Sequence, residues 1–328
     1  MANVIELSPS RNQRLETLNA LGSHADLQLP HFVESPCNFE LNGKIFQSSD
    51  RKIIVNAKSG QDVNVVKKGY KLSKQSDALE ANDEGIITQS QFPYHEGLQT
   101  VERLLVESSF DLTDVSRTIK TSDNGGKFIA SYTLPAHNID LGNGDITNME
   151  VNFYNSTDGS WSWTLFIGGH RMMCANGMLM IDPITLYRSR HTPQLNPEHA
   201  KAKTAEAINK FLVEGEKWAN WKKDRITDRQ AIKLIADVLS LKIPNDEDPF
   251  IFKDSKKALA NQSFQNLCNQ WVEEKNTLGD NKWALFNALT HWSTHGQVRK
   301  EGTLIETRDR REQSIIKTLN KHQWSKAA

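Results

Sequence analysis

Through the middle of the chain, apolar and polar side chains alternate in successive short runs, each closed by a turn signal. Residues 111–121 end at Asp123-Asn124-Gly125-Gly126. The next run places Phe128, Ala130, Tyr132 and Leu134 on one face and ends near Leu141-Gly142-Asn143-Gly144-Asp145. A third carries Met149, Val151 and Phe153 and ends at Asn155-Ser156-Thr157-Asp158-Gly159. A fourth carries Trp161, Trp163, Leu165 and Ile167. Strands that alternate and are joined by short turns predict an antiparallel meander with one face buried and the other available.

The pattern differs on either side. Residues 1–45 mix Pro, Ser, Asn and short apolar pieces, which predicts an extended arm. Ile53, Val55, Val63 and Val65 predict short strands, with Lys67, Lys68, Lys71 and Lys74 clustered behind them. Leu98, Val101, Leu104 and Leu105 have helical spacing. Beyond the meander, past Pro183 and Pro193, Asn196 is a suitable N-cap with Pro197 at the first helical position. The helix it starts should pack through Ala205, Ile208, Leu212, Gly215 and Ala219. Lys203, Lys210 and Lys217, seven apart, then lie roughly opposite Leu212, diluted by Glu206 and Glu214. A second helix is expected over Thr227–Leu241. An acidic loop follows at Asn245–Pro249, then helical segments around 255–275 and 280–295, and a basic helix or tail over 306–324.

The fold class is therefore α+β, an antiparallel meander packed on a long helix with a mostly helical C-terminal part. The expected organisation is an arm at 1–45, an α+β core at 46–242 and a helical region at 243–328.

Composition narrows the class without naming a function. The 328 residues are 38% hydrophobic and 24% charged, as in soluble globular proteins. No apolar run approaches the roughly 20 residues that a membrane span needs. The first sixteen residues lack the basic-then-apolar order of a secretion signal. Cys37, Cys174 and Cys268 are too few and scattered for a disulfide framework. These features predict an intracellular chain.

Net charge is zero, from 40 basic and 40 acidic residues, but its distribution is uneven. Residues 1–186 carry 15 basic and 22 acidic side chains, whereas residues 187–234 carry 11 and 6. The second segment is either a local anion-binding surface or a set of solvated helix faces.

The common catalytic signatures are missing. There is no phosphate-binding G-x-x-x-x-G-K-[ST] loop, no G-x-G-x-x-G after a strand and no G-x-S-x-G elbow. His291 and His295 share a helix-face spacing, but Trp292 stands where a zinc protease needs glutamate. His170 and Cys174 lack further ligands nearby, and Asp246-Glu247-Asp248 matches no complete coordination motif. No catalytic residue, metal or cofactor is expected.

Two segments carry a resemblance. Asn155–Ser160 followed by Arg171-Met172-Met173-Cys174-Ala175-Asn176 resembles the strand–turn–strand and Arg-x-x-Cys-x-Asn signature of a phage- and plasmid-borne family described only as a domain of unknown function. Trp283-Ala284-Leu285-Phe286-Asn287-Ala288-Leu289-Thr290 resembles its Trp-x-x-x-Asn-Ala-x-Thr element. More remotely, a meander followed by a long basic helix is similar to phage single-strand annealing proteins of the Red-beta and Erf type. That likeness implies a DNA-binding recombination protein in the cytoplasm of a bacterial host. It would assemble as a ring or helical filament and pair single-stranded DNA without ATP. A phage exonuclease or the host single-strand-binding protein would be its further partner.

On this reading phosphate contacts come from Arg171, Arg188, Arg190, Lys201, Lys203, Lys210, Lys217, Lys222, Lys223 and Arg225, through counterion release. Trp218 and Trp221, three apart beside lysines, are the stacking candidates. Trp161 and Trp163 are either core residues or base contacts. Arg171 is alternatively tied to a carboxylate across the sheet. Two other functions stay open: a protein-binding factor such as an inhibitor of host defence, and a metal-dependent DNA-processing enzyme.

Overall fold

A row of large apolar side chains on one face of a sheet needs a partner surface, and a fourteen-residue helix supplies it. The computed structural model describes residues 9–23, 27, 29–30, 32–41, 44–56, 62–67, 94–122, 125–172, 176–178, 184–191, 196–244, 248–296, 304–322 and 324. Lys68, Lys71, Lys74, Cys174 and Asn245–Glu247 lie outside these residues.

The chain opens with α1 (Arg11–Asn19), whose N-cap Ser10 forms a reciprocal capping box with Gln13. Three antiparallel strands follow, β1 (Phe32–Leu41), β2 (Lys44–Asn56) and β3 (Asp62–Lys67), in the order β1-β2-β3. The strands expected at Ile53–Val55 and Val63–Val65 are β2 and β3. Residues expected to form an extended arm include a helix and a full strand, and β1–β2 pairing crosses the boundary drawn at 45/46.

Next come α2 (Tyr94–Glu107) and a six-stranded sheet: β4 (Ser116–Thr121), β5 (Lys127–Asp140), β6 (Ile146–Ser156), β7 (Trp163–Arg171), β8 (Asn176–Met178) and β9 (Ile184–Ser189). The order is β4-β5-β6-β7-β8, and β9 also pairs with β7. The predicted meander is thus present. A short 3₁₀ segment (Pro197–Lys203), capped by Asn196, leads into α3 (Thr204–Lys223). The helical part continues with α4 (Asp228–Val238), α5 (Pro249–Lys253), α6 (Lys256–Leu259), α7 (Gln262–Leu278), α8 (Lys282–His295) and α9 (Leu304–Lys321). Among the described residues no helix is long and apolar enough to cross a membrane.

Contacts divide the chain into two compact units, each discontinuous in sequence. The first comprises residues 1–137, 150–167 and 185–208, and the second 138–149, 168–184 and 209–328. Because β5, β6 and β7 each give residues to both, the grouping differs from the three consecutive blocks expected.

In the first unit α2 covers Phe128, Tyr132, Phe153 and Trp163, all fully buried. Tyr94 stacks on Phe128 at 4.6 Å. Its hydroxyl donates to the Gly125 carbonyl and accepts from the Thr157 amide, so one residue ties α2 to two turns. Gly97 permits the close approach, since a Cβ there would lie 2.6 Å from the Phe153 ring. On the same helix Glu102 accepts from Arg117 at 2.6 Å and from Tyr132 at 3.0 Å; burial and Glu102 hold the Tyr132 phenol well above its usual range.

The packed face of α3, whose first five residues belong to the first unit and the rest to the second, differs from the one expected. Leu212 is 51% exposed and Ala205 is exposed, whereas Thr204, Ala207, Phe211, Glu214, Trp218 and Trp221 are buried. Both series step by three and four residues. The aromatic one wins because burying a large ring is worth more than burying alanine. Gly215 belongs to this face: a Cβ there would meet Ile139 at 2.9 Å.

Three histidines, His191 buried and His137 and His291 partly buried, link the fold to pH. His137 accepts from the Asp111 amide at 2.7 Å, and burial lowers its pKa against the pull of Asp111. Burial likewise lowers His191, against its bond to the Trp161 carbonyl and the charge of Asp158. At His291 burial and the neighbouring His295 both lower it. Each ring holds a proton less tightly folded than unfolded, so its contribution is complete above about pH 6.5 and is lost as pH falls. The urea midpoint should therefore drop between pH 7.5 and 5.5. His137→Gln, which keeps an acceptor but does not titrate, should flatten that dependence.

Candidate functional site

The buried cluster around Arg171 accounts for both sequence motifs. The β5–β6 turn runs through Gly142, Asn143 and Gly144, all with positive φ, and delivers Asp145 at its end. Arg171, at the end of β7 and wholly buried, donates from Nε to Asp145 Oδ1 at 2.6 Å and from Nη1 to Glu274 Oε2 on α7 at 3.3 Å. The Trp283 indole on α8 donates to the other Asp145 oxygen at 2.7 Å. The arginine of the first motif and the tryptophan of the second thus share one carboxylate.

The remaining motif residues support this junction. Arg171 pairs with Asn176 across the β7–β8 hairpin, and α8 packs on β8. Asn287 is fully buried and donates from its side chain to the Trp283 carbonyl at 2.8 Å, and Thr290 donates to the Asn287 carbonyl at 3.0 Å. Trp283 stacks on Trp218 at 5.4 Å.

These contacts correct several expected DNA contacts. Arg171 is unreachable by solvent; the alternative, a carboxylate partner, is what the structure contains. Trp218 is fully buried, and Trp221 packs edge-on against Phe286 at 5.1 Å. Neither offers a face to a base. Lys222 donates to the Leu141 carbonyl at 2.7 Å and lies 4.0 Å from Asp145, so it serves the buried cluster. Lys217 pairs with Glu214, a buried carboxylate that would be left uncompensated if the lysine turned outward.

Other candidates stay at the surface. In the first unit Arg188, Arg190, Lys201 and Lys203 are exposed. Lys201 bonds Glu107 at 2.8 Å, but an open pair of this kind is worth at most about 1 kcal/mol, leaving Lys201 available to a phosphate. In the second unit Lys210, Lys223 and Arg225 are exposed.

Sequence reasoning missed a set of aromatics in the first unit. Side chains alternate along a strand, so Tyr154 lies on the sheet face opposite Phe153, and Phe166 opposite Leu165 and Ile167. Trp161 precedes β7, where the chain is not yet extended, and does not share the buried face of Trp163. It stacks on Tyr154 at 5.2 Å and 26°, and Phe166 meets Tyr154 edge-on at 4.9 Å. All three rings are only partly buried. Lys127 Nζ lies 5.5 Å over the Trp161 ring and 3.8 Å from Asp158. Beside them Ser131 donates to Asn152 at 2.6 Å, and Asn152 donates to Glu150 at 3.0 Å. An aromatic at a polar-phase position of an amphipathic strand was the signal available.

Among the described residues no group of three or more His, Cys, Asp or Glu could hold a metal ion. The His291 and His295 rings lie 4.9 Å apart. Asp248 instead caps α5 and pairs with Arg229. The Cys268 thiol is buried, which pushes its pKa up to about 11 and makes it a poor nucleophile.

The profile of the family described as Domain of unknown function (DUF932) matches residues 89–322, and the chain belongs to that family. No curated protein and no solved structure matches it.

The junction makes a stability prediction. Arg171→Met would leave Asp145 and Glu274 as buried carboxylates without their cation, and should cost about 3–5 kcal/mol in chemical denaturation. Trp283→Phe keeps most of the ring but removes one bond to a charged acceptor, and should cost about 1.5–3 kcal/mol. A loss under about 1 kcal/mol for Arg171→Met would contradict this account.

Proposed function

We propose that this protein binds single-stranded DNA and anneals complementary strands without ATP, as an oligomeric recombination protein of mobile-element type in the bacterial cytoplasm. The observation that carries the reading is the Tyr154–Trp161–Phe166 patch with Lys127 over the Trp161 ring. Ring faces hold bases without reading sequence, because every base presents a π-face. An annealing protein needs that tolerance.

The exposed Arg188, Arg190, Lys201 and Lys203 of the same unit supply cations for the backbone. The reading uses neither Trp218 and Trp221 nor Arg171, whose roles are internal.

One observation favours a second reading, a protein-binding factor. Phe250, Ile251 and Leu259 on α5 and α6 are 46%, 67% and 57% exposed, unusual for large apolar side chains so close in sequence.

The decisive measurement is annealing of two labelled complementary oligonucleotides without nucleotide and with chelator, alongside mass photometry. Acceleration with large DNA-dependent particles is expected. Trp161→Ala should weaken oligo(dT) binding by about 1–3 kcal/mol for a lost stacking contact. Arg188→Ala with Arg190→Ala should flatten the salt dependence. Absence of both annealing and DNA-bound species would sink the reading and turn attention to the α5–α6 surface.

A further inference from the structure

The second unit contains a cavity of about 320 Å³ that no motif singled out. That is the lower end of the size range of small-molecule sites. Its lining combines Arg225, Lys233, Lys282 and His322 with the apolar walls of Leu234 and Trp324, and among the described residues it includes no aspartate or glutamate.

The backbone beneath it is stitched. Ile226 donates to the Asp280 carbonyl at 3.1 Å, Lys282 donates to the Asp224 carbonyl at 2.9 Å, and Arg225 bridges to Asn281. The α3–α4 and α7–α8 turns therefore fix Arg225 and Lys282 on one base, while Lys233 projects from α4.

The charges divide into two kinds. Lys282 is neutralised by Asp224 at 2.9 Å, with its Nζ 5.5 Å over the Trp324 ring. His322 is bonded to Asp237 at 2.8 Å. Arg225 and Lys233 have no side-chain hydrogen bond or ion pair among the described residues. Two uncompensated cations thus face a cavity whose walls are apolar. A phosphate monoester carries about −1.5 to −2 charge near pH 7 and matches both cations, whereas a bridging phosphodiester carries half that charge. Leu234 and Trp324 are themselves buried and Lys282 covers the Trp324 ring, so they floor the cavity and keep its dielectric low, which strengthens an ion pair with the two cations. Trp324 is 6% exposed, and its indole nitrogen has no acceptor among the described residues.

We infer that this cavity is a binding site for a phosphate monoester, either on a free nucleotide-sized molecule or at the 5′ end of a strand. The site lies within the second unit and uses none of the aromatic patch residues, so it stands whether or not the annealing reading does.

Calorimetric titration of the full chain tests it, with adenosine 5′-monophosphate, adenosine, and short oligonucleotides bearing a 5′-phosphate or a 5′-hydroxyl as probes. Binding is expected for a phosphorylated probe and not for adenosine. Binding of the mononucleotide identifies a free nucleotide as sufficient. Binding of the 5′-phosphorylated strand alone, with the 5′-hydroxyl strand at least about tenfold weaker, identifies a strand end. Lys233→Ala and Arg225→Ala are surface changes, and each should weaken binding about tenfold. The two strands are compared in the Trp161→Ala variant, which removes the patch's stacking share of strand binding, and binding of the mononucleotide, too small to span both places, should survive that change. The inference is overturned if, in that variant, no phosphorylated probe binds more tightly than its unphosphorylated counterpart, or if both cation variants bind like the parent.

Discussion

The ion pair between Arg171 and Asp145, with Glu274 as the second carboxylate and the Trp283 indole as the second donor to Asp145, is the contact on which the second unit depends. A guanidinium and two carboxylates out of water are tolerable only when each finds its partners. The surrounding elements meet that requirement. A tight turn places Asp145, the end of β7 places Arg171, α7 brings Glu274 and α8 brings Trp283. Displacing any of these elements would leave a buried charge alone. The network therefore specifies one arrangement of a turn, a strand and two helices.

That demand explains why two lysines of the basic segment, Lys217 and Lys222, turn inward. Lys222 and Lys217 are drawn to carboxylates and a carbonyl that would otherwise be unmatched. Trp218 stacks on Trp283 and thereby joins the same packed region. What remains for function is the residue of internal accounting: exposed arginines and lysines, a partly open aromatic patch on the sheet, and a cavity with two uncompensated cations. Proteins use their strongest charges internally only where geometry is tight, and leave pairs such as Lys201–Glu107 weak enough to exchange.

Much of the architecture was legible. The alternation of Phe128, Tyr132, Val151, Phe153 and Leu165 marked the sheet and its buried face, and Leu98, Val101, Leu104 and Leu105 marked the helix that covers it. The caps at Asn196 and Thr227 formed as their residue types require. The face of α3 was not legible, because two series of apolar residues share the same period. The choice between Leu212 and Phe211 is made by what lies opposite, with Gly215 admitting Ile139 at close range. Trp161 was misassigned to the face of Trp163 because a period of two holds only where the backbone is extended.

The candidate site divides the same way. Local rules, which act between neighbours in the chain, determined the meander, the helices and the two segments, around Arg171 and Trp283, that carry the family resemblance. Which carboxylate that arginine meets, which lysines are consumed beside it and which aromatics remain open are relations between residues distant in sequence. Only the tertiary structure decided them, because the cost of burying a charge or a ring depends on what surrounds it in space and not on what precedes it in the chain.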